Sequence, residues 1–171
     1  VLPDILVPGL DAVFVGTVVG RKSAEKGHYY SDPTNRFWPR LQQAGLTPTR
    51  LGPEDDQVLP AFGLGLTDLN KVDASSKDDV PFYPADFDLR IRAVAPSWVV
   101  FNGRRPAAEY AAWRGLAEPS YGFLNWTIGD SLVFVVPNSS GNNWDGRMLG
   151  GKTTVEWWQE AGQHIAQTRG G

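Results

Sequence analysis

The sequence predicts a three-layer αβα domain with a central, mostly parallel sheet of four strands. Three observations carry this. Residues 12–15, 98–101 and 132–136 are short, continuous, β-branched-rich apolar runs, and residues 65–69 form a weaker one. Runs of this kind suit strands buried on both faces. Each run stops at polar or glycine-rich sequence: Gly16-Thr17, Asn70-Lys71, Asn102-Gly103 and Pro137-Asn138-Ser139-Ser140-Gly141. Helical patterns occupy the intervals, and alternation of strand and helix implies a parallel sheet covered on both sides.

Taken in order, the first helix is expected over residues 34–44, after the turn Ser31-Asp32-Pro33. The second covers 87–94 and the third 105–114, following Gly103. The last covers 153–167, with Thr153 or Thr154 as its N-cap. Trp113, Trp157 and Trp158 are expected to pack these helices. In such a sheet, ligands bind outside the carboxyl ends of the strands. The polar strand ends should therefore line one crevice.

Composition narrows the chemistry. With 171 residues, the chain suits one domain, 1–171, able to bury a core without staples. It has no cysteine, which excludes disulfides, iron–sulfur clusters, cysteine zinc sites and thiol nucleophiles. Only His28 and His164 are present, so neither a metal site nor a cofactor is expected. No apolar run approaches the ~20 residues of a membrane span. The N-terminal VLPDILVPG lacks the charge pattern of a signal peptide. A cytoplasmic monomer without an obligate protein partner is the expectation. A net charge of −3 argues mildly against a nucleic-acid partner. The charge is uneven, however. Arg21, Lys22, Lys26, Arg36 and Arg40 crowd one stretch, while acids gather at 54–56 and at Asp78, Asp79, Asp86 and Asp88. A local basic face on an acidic protein is compatible with this.

The first strand end reads Gly16-Thr17-Val18-Val19-Gly20-Arg21-Lys22-Ser23. It is neither a dinucleotide fingerprint nor a phosphate loop, although its glycines allow a ligand close to the backbone. Next comes Tyr30-Ser31-Asp32-Pro33-Thr34-Asn35-Arg36-Phe37-Trp38. Phe37 and Trp38 read as core residues of the helix, and Tyr30 as a platform for a base. The last strand end, Asn138-Ser139-Ser140-Gly141-Asn142-Asn143-Trp144, offers small hydrogen-bonding groups and then a large aromatic. That combination suits phosphate contacts with an inserted wedge.

Together these segments resemble the mismatch-specific uracil/thymine DNA glycosylases of the uracil-DNA glycosylase superfamily. The family's G-I-N-P-G corresponds to Gly16-Thr17-Val18-Val19-Gly20, and its following serine to Ser23. Its F-x-H-P-x-N-R-F-W corresponds to residues 30–38, with Gln43-Ala44-Gly45-Leu46 after it. Its N-P-S-G-L corresponds to Asn138-Ser139-Ser140-Gly141-Asn142. The resemblance implies removal of uracil from DNA by base flipping. Tyr30 would stack on the flipped base. Ser23 and the segment Gly16, Thr17 and Val18 would read its polar edge. Asn138, Ser139, Ser140 and Gly141 would grip phosphates.

Two positions depart from the pattern. The family's water-activating asparagine falls on Val18, and its leucine wedge on Asn142. Asp68, at the second strand end, is the proposed replacement for the first, with Asn70 helping to orient water or substrate. Asp32 is the second choice, and Asp73 lies further along the same stretch. Trp144 is the candidate wedge. Two other readings stay open: a non-catalytic damage-binding protein on this scaffold, and a hydrolase of free nucleotides or nucleosides. Lys22 and Lys71 leave Schiff-base chemistry open.

Overall fold

A computed structural model describes residues 2–74 and 81–169, with backbone alone for 72–74. Asp78 and Asp79, and the side chain of Asp73, lie outside the described residues. The chain runs β1 (Ala12–Val19), α1 (Arg21–Lys26), α2 (Phe37–Gln43), a 3-10 helix (Pro53–Phe62), β2 (Leu64–Ala74) and α3 (Pro84–Val94). It continues with β3 (Trp98–Asn102), α4 (Arg104–Arg114), β4 (Gly122–Phe123), β5 (Leu132–Val136), the short hairpin β6 (Met148–Leu149) and β7 (Lys152–Thr153), and α5 (Thr154–Arg169).

The sheet order is β2-β1-β3-β5-β4. The first four are parallel, and they are the four apolar runs of the sequence. The fifth strand, β4, adds antiparallel to β5 at the edge. Two residues carry no periodicity, so nothing in the sequence announces it. At the opposite edge Ile5 exchanges backbone hydrogen bonds with Leu66, at 2.9 and 3.0 Å. The N-terminal segment thus meets part of the outer edge of β2, which would otherwise offer unpaired groups to other chains.

Side chains alternate across the sheet. Ala12, Phe14, Trp98, Val100, Phe134 and Val136 join one apolar cluster with residues of α2, α5 and the 3-10 helix. Val13, Val15, Val99, Phe101, Val133 and Val135 join a second cluster with residues of α3 and α4. Two faces, each buried under helices, make the three layers. Trp158 is fully buried, stacks on Phe14 at 5.7 Å, and donates its indole N–H to the Pro137 carbonyl at 2.9 Å. It fixes α5 both to β1 and to the loop after β5. Trp157 is buried as well, but Trp113 is 47 % exposed and only edges onto Tyr110.

Two boundaries differ from the sequence expectation for physical reasons, and the cap of the last helix agrees with it. β1 runs on to Val19, because Gly16 pairs with Asp68 and Val18 with Asn70 on β2. Pairing overrides the weak strand preference of glycine. α2 starts at Phe37 because the Asn35 side chain accepts the Phe37 N–H at 3.0 Å, while Asp32 folds the preceding turn through the Thr34 N–H at 2.9 Å. α5 is capped by Thr153. Its Oγ1 accepts the Glu156 N–H, and the Glu156 carboxylate accepts the Thr153 N–H in return. No described helix is long and apolar enough to cross a membrane.

The close approach of α5 to α2 rests on Gly162. A Cβ there would lie 2.0 Å from the Ala44 carbonyl oxygen, a backbone atom that cannot rotate away. Gly162→Ala should gain up to ~1 kcal/mol of helix propensity and lose about 1–3 kcal/mol or more to overpacking. The expected outcome is a lower urea midpoint with an unchanged slope. A midpoint at or above wild type would show that α5 slides off α2 without cost.

Candidate active site

The chain passes from β1 to β2 on one side, and then to β3 on the other side of β1. The boundary between β1 and β3 is therefore the topological switch point, where ligands bind in open α/β sheets. Pairing of β1 with β3 stops at Val15–Phe101, whereas pairing with β2 continues to Val19. Beyond Val15 the two central strands part, and a cavity of about 370 Å³ opens between their ends. Residues 16–20 form one wall, Asn102 and Gly103 the opposite one, and Asn138, Ser139 and Ser140 close the end beyond β5. Tyr30 and Asp68 also line it.

Asp68 is the dominant feature. It stands on β2 directly opposite Gly16, and a Cβ on Gly16 would come within 2.5 Å of Asp68 Oδ1. Only glycine leaves room for the carboxylate. The residue is 3 % exposed, and its Oδ2 has no hydrogen-bond partner among the described residues. Lys71 Nζ stands 3.9 Å from Oδ2, too far for a hydrogen bond but close enough to favour the charge. Burial pushes the Asp68 pKa up to about 6, with Lys71 opposing, Asp4 adding to the rise and Arg90 opposing it. A carboxylate of this basicity is ionised at neutral pH and can still accept a proton from water.

The charges behind Asp68 hold one another in place. Lys71 Nζ also reaches Asp4 at 3.1 Å and donates to the Tyr29 hydroxyl at 2.8 Å. Arg90 bonds Asp4 at 2.9 Å and donates to the Asp68 backbone carbonyl at 2.9 Å. Lys71 therefore serves two carboxylates from a half-buried, bonded position.

Tyr30 has a left-handed backbone, with φ of 53°, at a residue that is not glycine. Such conformations cost about 1–3 kcal/mol and persist where surrounding structure imposes them. Here the ring stacks on Phe37 with centroids 4.1 Å apart. One face is thus taken by the core. Its hydroxyl lies beside Gly16, buried and without a well-formed hydrogen bond among the described residues. Burial, and secondarily the Asp68 charge, push the Tyr30 pKa up, with Asn102 opposing. Phe37 and Trp38 are buried core residues.

The other candidates divide. Gly16, Thr17, Val18 and Ser23 all line the cavity. Ser23 Oγ accepts the Ser31 N–H at 2.9 Å, which leaves its hydroxyl proton to offer. Asn70 is fully buried, donates to the Pro81 carbonyl at 2.6 Å, and is not part of the cavity lining. Asn138, Ser139 and Ser140 line the cavity, whereas Gly141, Asn142 and Trp144 lie outside it. Ser139 is occupied internally: its N–H and Oγ both bond the Asn102 side chain, at 3.0 and 2.9 Å. It fixes the loop to the end of β3. Buried Arg40 fixes the same loop further on, through the Asn143 carbonyl at 2.8 Å and Asp145. Trp144 is 56 % exposed with the Arg147 guanidinium over its ring. Asp32 also lines the cavity, but it is turned to the Thr34 turn and to Lys22. Asn102 is a site residue that the motifs do not single out. Its only sequence signal is its place at the polar end of a strand.

The chain matches the model of the Uracil DNA glycosylase superfamily over residues 3–162. It belongs to that family. The match spans the sheet, every wall of the cavity and most of α5. Superfamily membership supports hydrolysis of the bond between uracil and DNA. The α/β architecture agrees with this family, with five strands in place of the four expected.

Asp68 also makes stability depend on pH in a defined direction. Its folded pKa of about 6 lies above the ordinary 3.8. Between those values the folded chain keeps a proton that the unfolded chain has lost. Wild type should therefore lose stability as pH rises from 4 through 6. Asp68→Asn carries no such charge, so its advantage should grow over that window to on the order of 3 kcal/mol and then level off. Urea titrations at pH 4 and pH 7.5 check this. An advantage that does not change with pH would place the Asp68 pKa at its ordinary value.

Proposed function

We propose that this protein is a monofunctional uracil-DNA glycosylase that uses Asp68 in place of the missing asparagine. The observation that carries the reading is the buried Asp68 carboxylate, which lines a base-sized cavity at the switch point with its Oδ1 beside Gly16. Val18 can neither orient water nor take its proton. Asp68 can do both.

The uracil nucleotide must leave the stack before chemistry on it is possible. In the proposed complex Tyr30 stacks on the base, while Ser23 and the backbone of residues 16–19 contact its polar edge. Asn138 and Ser140 hold phosphate beside it. Asp68 accepts a proton from water as the water oxygen bonds to C1′ of the deoxyribose. The C1′–N1 bond breaks, and its electron pair leaves with uracil as an anion stabilised by the N–H groups and the Ser23 hydroxyl. The ionised carboxylate also opposes the positive charge that develops on the sugar. An abasic site remains, and the balance closes without a cofactor.

The substrate is proposed to be uracil opposite guanine, with relaxed discrimination. Asn142 is too small and polar to fill the gap left by the flipped base, so hold on the widowed guanine is weak. Trp144, exposed two residues later, is the proposed wedge. Single-stranded uracil should then be accepted as well. A second reading, a damage-binding protein without catalysis, is favoured by Val18 alone and opposed by the placement of Asp68.

The test is single-turnover excision on G·U duplexes and on single-stranded uracil DNA, with alkaline cleavage of abasic sites. Asp68→Asn should lower the rate at least tenfold with little loss of DNA affinity. The wild-type rate should fall as pH drops below about 6, following protonation of Asp68. Retained binding with no wild-type cleavage would establish the non-catalytic reading, and an unchanged rate in Asp68→Asn would remove Asp68 from the mechanism.

A further inference from the structure

A second cavity, of about 340 Å³, adjoins the first and shares Tyr30, Asp32 and Asn35 with it. Its size falls within the range of small-molecule sites. Partly exposed Pro39, Leu51 and Pro53 give it apolar walls over the buried Trp38, and Lys26 and Arg50 stand at its rim. Both cations are exposed, and neither has an ion-pair partner among the described residues. Glu54 also lines it, while the shared Asp32 is already engaged with Lys22 at 3.7 Å. His28 is held on the wall by Asp56, a fully buried carboxylate whose Oδ1 takes Nδ1 at 3.1 Å and whose Oδ2 takes the Tyr29 N–H at 3.1 Å. A carboxylate only accepts, so Nδ1 carries the proton and Nε2 is directed by a buried support.

Apolar walls, unpaired cations and an oriented imidazole next to a base cavity form one pattern. It is the combination that binds unpaired nucleotides: a stacking surface beside a positive contact for phosphate. We propose that the second cavity seats the nucleotide adjacent to the flipped one in single-stranded DNA, its base on the Pro39–Leu51 surface and its phosphate on Lys26 and Arg50. In a duplex that neighbour is paired and stacked, so the subsite serves single strands. The proposal rests on the glycosylase reading and extends it to the substrate's second nucleotide.

The test uses fluorescence anisotropy of single-stranded oligonucleotides carrying 2′-fluoroarabino-uracil, which resists excision. The base on the 5′ or the 3′ side is replaced by a tetrahydrofuran abasic analogue. Removal on one side should weaken wild-type binding roughly tenfold, and removal on the other side should not. The double variant Lys26→Glu/Arg50→Glu should raise KM for single-stranded uracil DNA about tenfold, leave kcat within about twofold, and affect G·U duplexes less. Both positions are exposed, so folding is not at stake. Arg169→Glu, which alters the amino end of the sheet near Asp11, is the control for general charge. Silent removal of both neighbours, or equal losses on duplex DNA or in the control, would overturn the proposal. If no substrate releases uracil, the glycosylase reading fails, and the anisotropy arm still decides the subsite.

Discussion

A carboxylate buried against a glycine on the neighbouring strand is the constraint around which the rest of this structure is arranged. Parallel pairing brings Asp68 opposite Gly16, and the side chain fills the space that a Cβ would occupy. Burial of an ionised carboxylate is costly. Lys71 offsets that cost only in part, because at 3.9 Å it makes an ion pair without a hydrogen bond. Asp4 and the Tyr29 hydroxyl hold Lys71 at that distance. A closer lysine would satisfy Oδ2 and lower the Asp68 pKa. The observed spacing keeps the group charged at neutral pH and still receptive to a proton.

The same end of the sheet carries the Tyr30 hydroxyl, likewise without a well-formed hydrogen bond among the described residues, on a residue with a strained backbone. Orphaned buried groups and left-handed non-glycine residues each cost stability. The apolar faces elsewhere carry the load that allows both. Phe14, Phe37 and Trp158 pack as stacked and edge-on rings, tying β1, α2 and α5 together directly beneath Tyr30. Strain at the cavity and close packing beneath it are thus one arrangement: the ring that Tyr30 rests on is part of the core.

Much of the fold was legible because it depends on burial. The four parallel strands are the four apolar runs, and their two-sided burial explains why they lack alternation in the sequence. Four helices follow from periodicity and caps. What the sequence could not show depends on pairing or on very short elements. Gly16-Thr17 reads as a strand end, yet pairing with β2 carries β1 on to Val19. β4 is a two-residue strand, and α1 a six-residue helix, too short for a pattern. The site was legible to the same degree. Asp68 and Gly16 are both visible as strand-end residues, but their contact is a matter of register. Asn70 is visible at the same strand end, but its amide is engaged by the Pro81 carbonyl. Asn102 carries no motif, because its partner, Ser139, is 37 residues away.

Register also bears on how, in the proposed mechanism, a base on β2 would take over a task tied to β1. On β1 the position of the missing asparagine is Val18, which pairs with Asn70, while Asp68 pairs with Gly16 two residues earlier. A side chain at 68 therefore begins one strand away and one pleat repeat back from the position it replaces. It can reach the cavity only across position 16, and any side chain there would block it. Glycine at 16 is thus the structural condition for an aspartate at 68, and Val18 is free to be apolar once the proton acceptor enters from β2. In the proposed mechanism the two departures are one change: the acceptor moves between paired strands, and glycine at the crossing point keeps its path open.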